Sequence, residues 1–151
     1  MHKIALVTTA YNQFQDFNNW KLHYKEYQNQ ISHHIIVDNN SSEEYKKLYK
    51  PEFSDSIILE LSKGKGITGG YNEAIRYIQK NLKVDYIIFL LQDMNIPGNG
   101  VTELANCLNT NQEIGAIAAI NLYENKSNII REHGGTINKN DFSIKKHYLN
   151  Q

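Results

Sequence analysis

Apolar residues in this chain fall into short continuous runs, separated by stretches where they recur every three or four positions. That alternation predicts strands and helices in turn. Residues 3–9 read as a strand that is apolar on both faces. Asp16 then stands where it can cap a helix carrying Phe17, Trp20, Tyr24 and Tyr27 on one side. Residues 33–37 form a second strand, stopped by the polar run 38–42. Ser41 with Glu44 predicts a capping box, opening a short helix through Tyr45, Leu48 and Tyr49 that Pro51 ends. Residues 56–61 make a third strand. The glycine loop 64–70 leads into a helix with Ala74, Ile75, Ile78 and Leu82 on one face. Residues 85–91 are the fourth and most hydrophobic strand. Val101, Leu104, Ala105 and Leu108 then mark another helix, residues 114–122 a fifth strand, and the tail from Asn125 is polar with weak strand signals.

This order predicts an α/β fold: a Rossmann-like three-layer sandwich with a mostly parallel central sheet and helices on both faces. With no linker, repeat or low-complexity block, residues 1–151 read as a single domain. Ligands of such sheets bind beyond the carboxyl ends of the strands. Chemistry is therefore expected at residues 8–12, 38–42, 62–72 and 92–97, all polar, glycine-rich or acidic.

Composition narrows the classes. A chain of 151 residues, 40% hydrophobic and 21% charged, is a globular profile. Sixteen basic against sixteen acidic residues leave no net field to steer nucleic acid or anionic lipid, although Lys and Tyr interleave. No run approaches eighteen apolar residues, so no transmembrane segment is expected, and the start is too short in apolar residues for a signal peptide. A lone Cys107 suits a reducing compartment; on the helix beside core positions it reads as a buried thiol. His33 and His34 point to opposite faces of a strand and make no metal pair. His133 reads as a loop residue.

The loop from Gly64 to Gly69 is literally G-x-G-x-x-G, set between a strand and a helix. Glycines there let backbone N–H groups approach a diphosphate at a helix terminus. One reading is therefore an NAD(P)-binding oxidoreductase domain, with Asp93 at the end of the next strand for a ribose hydroxyl. Another is a tight turn with no ligand.

Taken together, the strand ends resemble the family-2 glycosyltransferases, which adopt the GT-A fold. The pieces are residues 4–12, ending Thr9-Ala10-Tyr11-Asn12; Val37-Asp38-Asn39-Asn40-Ser41, close to a V-D-N-x-S segment; and 66–75, similar to a G-x-x-G-G-x-N-x-G-I loop and helix. Residues 89–97, with Leu91-Gln92-Asp93, resemble the L-D-Q-D segment of rhamnosyltransferase-like members. Residues 114–118 and His133-Gly134-Gly135 match the downstream pattern.

The resemblance implies a nucleotide-diphosphate sugar as donor, a hydroxyl on a carbohydrate acceptor, and transfer with inversion in surface polysaccharide synthesis. It implies nucleotide binding by Thr9, Ala10, Tyr11, Asp38, Asn40, Gly66, Gly69, Gly70, Asn72 and Gln92, with Asp38 accepting from a ring N–H of the base. Capping of the following turn is the other reading of Asp38. A divalent cation, Mn²⁺ or Mg²⁺, would be held by Asp93 with Asn95 as a neutral oxygen ligand; Leu91 stands where the motif's first acid belongs. No catalytic base is assigned, because family members are longer and carry that acid in a second half. The chain is thus expected to stop before the acceptor half, as a fragment, one part of a larger protein or homo-oligomer, or a non-catalytic remnant. A cytoplasmic location, peripheral at the inner membrane face, is the implied setting.

Overall fold

The computed structural model describes residues 2–110, 113–123, 126–132, 135–138, 140–141 and 143–146. The chain divides into two compact units, Met1–Asn106 and Cys107–Gln151.

The first unit is built on four strands: β1 (Ile4–Ala10), β2 (His33–Asp38), β3 (Ile57–Glu60) and β4 (Tyr86–Leu91). They form one sheet in the order β3-β2-β1-β4, and every pairing is parallel. β1 lies at the centre and is buried along its whole length, as a run apolar on both faces requires. Alternate residues of β1 face opposite layers. Ala5 and Val7, with Ile35 and Val37 of β2, pack against Ala74 and Ile78 of the helix α3 (Gly66–Asn81). On the other face, Ala10 and Ile36 pack on Phe17 and Trp20 of α1 (Phe17–Tyr27), Tyr45 and Tyr49 of α2 (Glu43–Tyr49), and Phe53. Ile4, Leu6 and Leu90 pack there on Tyr27 and on Val101 and Ala105 of α4 (Gly100–Thr110). The predicted three-layer arrangement, Rossmann-like and of GT-A type, is thereby realised.

The second unit holds two antiparallel ladders. β5 (Asn121–Tyr123) pairs with β6 (Lys126–Glu132), and β7 (Gly135–Ile137) pairs with β8 (Ile144–Lys146). Glu124, His133 and Gly134 lie outside the described residues.

Several local expectations are corrected. The cap of α2 is Ser42, whose Oγ accepts from the Tyr45 N–H at 3.2 Å; Ser41 is not the cap, because its own N–H donates to Asp38 Oδ1 at 2.7 Å. Asp16 occupies the N-cap of α1 without a side-chain cap bond; its carboxylate accepts from Gln13 Nε2 instead. A short 3₁₀ turn, Lys50–Phe53, carries Pro51 directly after α2. The helix after β3 starts at Gly66, so Gly69 and Gly70 are helical residues and not loop. Of the expected fifth strand, only the end from Asn121 forms. Gly115, Ala116, Ala118 and Ala119 carry little β preference, and Ile114 and Ile120 stay exposed. Cys107 is exposed: it lies off the Val101–Leu104–Ala105–Leu108 stripe of α4.

Gly70 shows how closely α3 approaches β1. A Cβ there would lie 2.5 Å from Thr9 Cγ2, a methyl in the sheet centre that cannot swing aside. Overpacking costs about 1–3 kcal/mol, whereas Gly→Ala in a helix gains only about 1 kcal/mol. Gly70→Ala is expected to lower stability in urea unfolding despite the better helix former.

His34 is a buried titratable group of this core. Its ring stacks on Tyr24 at 4.6 Å, with Trp20 and Phe53 edge-on, and Nδ1 lies 2.8 Å from Ser56 Oγ. Burial brings its pKa down to about 3. Between about 6.5 and 3 the unfolded chain therefore binds a proton there that the folded protein refuses. Stability is retained above pH 6.5 and lost as pH falls, by about 2 kcal/mol at pH 5 from this group. His34→Gln is expected to flatten that slope in urea titrations at pH 7, 6 and 5; an unchanged slope would contradict the assignment.

Candidate active site

Parallel pairing brings the loops after β1, β2 and β4 to one edge of the sheet, with the start of α3 beside them. The side chains there tie each loop to its neighbour. Asn39 N–H donates to the Ala10 carbonyl at 2.9 Å, and Ser41 Oγ reaches the same oxygen at 3.4 Å. Asn12 Oδ1 accepts from the Ser42 N–H at 2.9 Å, joining the first loop to the cap of α2. Asn39 Oδ1 accepts from the Lys65 N–H at 2.7 Å, joining the second loop to the start of α3. Tyr11 N–H donates to Gln92 Oε1 at 3.2 Å, joining the first loop to the end of β4. Asn12 and Asn40 both adopt positive φ, 48° and 68°, a conformation that asparagine tolerates better than most residues.

Beneath these loops lies a buried polar set. Asp38 is fully buried; Oδ1 accepts from Ser41 N–H and Oδ2 from the Tyr49 hydroxyl, each at 2.7 Å. Gln92 Nε2 donates to the Tyr45 hydroxyl at 2.7 Å, and that hydroxyl is also bonded to the Gln13 backbone. Burial pushes the Tyr45 phenol up to about 12. Burial also raises Tyr49, aided by its bond to Asp38 and that residue's charge. Both tyrosines therefore stay protonated, and Tyr49 can only donate to the carboxylate.

The expected site residues separate into groups. Ala10, Tyr11, Asp38 and Gln92 converge in this network, whereas the Thr9 side chain faces α3, bonded to Tyr71; Ala10 and Asp38 are opposite one another in the ladder, and Tyr11 is 58% exposed above them. Asn40 is exposed at the tip of the second loop. Gly66, with φ of 66°, opens α3, whose N-cap Lys65 makes no side-chain cap bond. Gly69 and Gly70 follow in its first turns, Gly70 against Thr9, and Asn72 is exposed two residues further. Asp93 is exposed just past β4, whereas Asn95 is directed to Glu26 of α1, its Nδ2 3.5 Å from Oε2.

Tyr45, Tyr49 and Tyr71 have no place in the sequence motifs. Tyr71, on α3, is hydrogen-bonded to the Thr9 side chain and packs 4.6 Å from the Phe89 ring. Its pKa is raised by burial, with the charge of Asp93 adding. The available signal for the first two was their i, i+4 spacing on a helix beside an acid: a buried tyrosine hydroxyl needs a partner.

Among the described residues, no three His, Cys, Asp or Glu side chains gather as a metal site. One exposed carboxylate, Asp93, fits a hard cation of the kind held by one or two carboxylates together with substrate phosphates. It does not fit a cation caged by protein alone. Among the described residues, no helix is long and apolar enough to cross a membrane.

The glycine run follows β3, the edge strand, and not the central β1. The crystal structure of S. aureus TarS 1-349 matches with a TM-score of 0.50 at 14% identity, over 72% of this chain and 32% of that one. The chain thus spans about a third of the length of that structure, and the likeness is one of fold. No curated protein matches the sequence. The family model for Glycosyl transferase family 2 matches residues 6–151, so the strand-end motifs and the parallel sheet that gathers them have one origin: the chain belongs to glycosyl transferase family 2.

Proposed function

We propose that the chain binds a nucleoside-diphosphate sugar at the carboxyl edge of the sheet and serves transfer of its glycosyl group to a carbohydrate hydroxyl. The observation that carries this reading is the stitched set of loops after β1, β2 and β4, standing beside the uncapped, glycine-opened start of α3. An anion suits that helix end, because its first N–H groups lack intrahelical partners and the dipole is positive there. The base lies against the exposed Tyr11, with Thr9, Ala10 and Asn40 around it and Asp38 as the buried acid beneath. Gly66, Gly69, Gly70 and Asn72 shape the diphosphate side.

In the transfer, an acceptor oxygen attacks the anomeric carbon as the bond to the diphosphate breaks, which inverts configuration. The nucleoside diphosphate leaves with the bonding electrons, and the acceptor proton passes to a base. A divalent cation bound at Asp93 would neutralise the leaving diphosphate. Surface polysaccharide synthesis, at the inner membrane face, is the setting that fits such a donor and acceptor.

Thermal melts with UDP, GDP, dTDP or NAD, each with Mn²⁺ or chelator, test this reading. A ligand at about a hundredfold its dissociation constant adds about 2.7 kcal/mol, a shift of about 5–10 °C for a domain of this size. The expected result is a shift with one nucleoside diphosphate, larger with Mn²⁺, and none with Mn²⁺ alone. A response to NAD only would assign the glycine run to a dinucleotide instead. Asp93→Ala is expected to remove the Mn²⁺-dependent part of the shift while leaving the ligand-free melt within about 0.5 kcal/mol, because Asp93 is exposed.

A further inference from the structure

Gln92 lies just past β4 and Tyr45 and Tyr49 lie on α2, and their polar atoms form two short links under the same loops. In the first link, Gln92 joins the Tyr11 N–H above to the Tyr45 hydroxyl below. The amide has one orientation that serves both: Tyr11 offers a hydrogen and needs the oxygen, so the nitrogen must face Tyr45. In the second link, Tyr49 donates to the Asp38 oxygen that Ser41 leaves free. The two tyrosines are i and i+4 on α2, and their rings lie 5.4 Å apart. α2 thereby braces the end of β4 with one side chain and the end of β2 with the other.

Tyr45 and Tyr49 are fully buried, and Gln92 is nearly so. None of the three offers surface to a ligand. Each does act on a group that borders the ligand space: the backbone of exposed Tyr11, the turn 38–41 held by Asp38, and Asp93, which directly follows Gln92.

We propose that Gln92, Tyr45 and Tyr49 are positioning residues for nucleotide binding, acting through Tyr11 and Asp38, and that the Gln92–Tyr45 link joins the base side of the site to the Asp93 side as one unit. The inference rests on the nucleotide-binding reading above and replaces a direct contact of Gln92 with the nucleotide. Removing the Tyr45 or Tyr49 hydroxyl leaves the Gln92 amide or the Asp38 carboxylate buried with a bond unmade, and removing Gln92 takes the acceptor from the Tyr11 N–H, so the loops relax toward geometries that bind less well.

The test uses Gln92→Leu, Tyr45→Phe, Tyr49→Phe, the double variant Gln92→Leu/Tyr45→Phe, and Tyr27→Phe as control. Tyr27 is fully buried, but its hydroxyl has no partner among the described residues, so its loss removes no link. Affinity for UDP, GDP and dTDP is measured by calorimetry well below each variant's melting temperature, where every protein is folded. Amide hydrogen exchange at Tyr11 is followed without ligand.

Each of the three single variants is expected to bind the responding nucleotide about tenfold more weakly, and Tyr27→Phe to match the parent. The double variant should bind no more weakly than Gln92→Leu alone, because both changes break the same link. Tyr11 exchange should speed up in Gln92→Leu. A purely structural role would lower melting temperatures and leave these affinities unchanged, which overturns the proposal. Additive losses in the double variant overturn the link. If the parent binds none of the three nucleotides, the nucleotide-binding reading itself fails, and this inference fails with it.

Discussion

The flush parallel pairing of β1 between β2 and β4 is the constraint from which the rest of the first unit follows. Ala10 is opposite Asp38, and Thr9 is opposite Leu91, so three chains leave the sheet at one level. Parallel strands need crossovers, which carry α1 to one layer and α3 to the other. Each crossover returns its strand end to the same edge. The polar character of residues 10–12, 38–42 and 92–95 then becomes a single surface instead of three separate loops.

That convergence raises a problem of hydrogen bonding. A carboxylate, a primary amide and two phenols are taken out of water together, and each would cost roughly 1–3 kcal/mol if left unpaired. The structure answers with complementary pairs: acceptor-only Asp38 under the donating Tyr49, and the two-sided amide of Gln92 between an N–H and a phenol oxygen. The backbone obeys the same rule. Asn12 and Asn39 lend side-chain oxygens to N–H groups of neighbouring loops, and neither bond belongs to a helix or a ladder. The ties between the loops and the pairing of their polar groups are thus one property of the site.

Much of this was legible in the sequence, because it depends on local periodicity. The runs around Val7, Ile36, Leu59 and Ile88 announced strands, and Ala74 and Ile78 announced the face of α3. The strand-end motifs identified the family. What stayed hidden depended on more than the local period. Ser41 has every local attribute of a cap, yet Asp38 takes its N–H and shifts the start of α2 by one residue. Ile114 to Ile120 has apolar content, but Gly115, Ala116, Ala118 and Ala119 between its isoleucines carry little preference for an extended chain. Cys107 sits two positions from buried Ala105 but on the wrong side of the stripe. The link from Gln92 to Tyr45 spans 47 positions, and no spacing rule reaches that far.

The position of β4 has a further consequence, for the order in which the molecule assembles. β1 meets β2 across 28 positions, from Ala5 to His33, but meets β4 across 82, from Ile4 to Tyr86. Closing the larger loop costs about 1 kcal/mol more chain entropy. Pairing of β1 with β2 therefore has the entropic advantage, which favours docking of β4 onto a partner already shaped. Gln92 rides on that last strand. Until it arrives, Tyr11 has no acceptor and Tyr45 no amide, so the site is completed by the same event that completes the sheet.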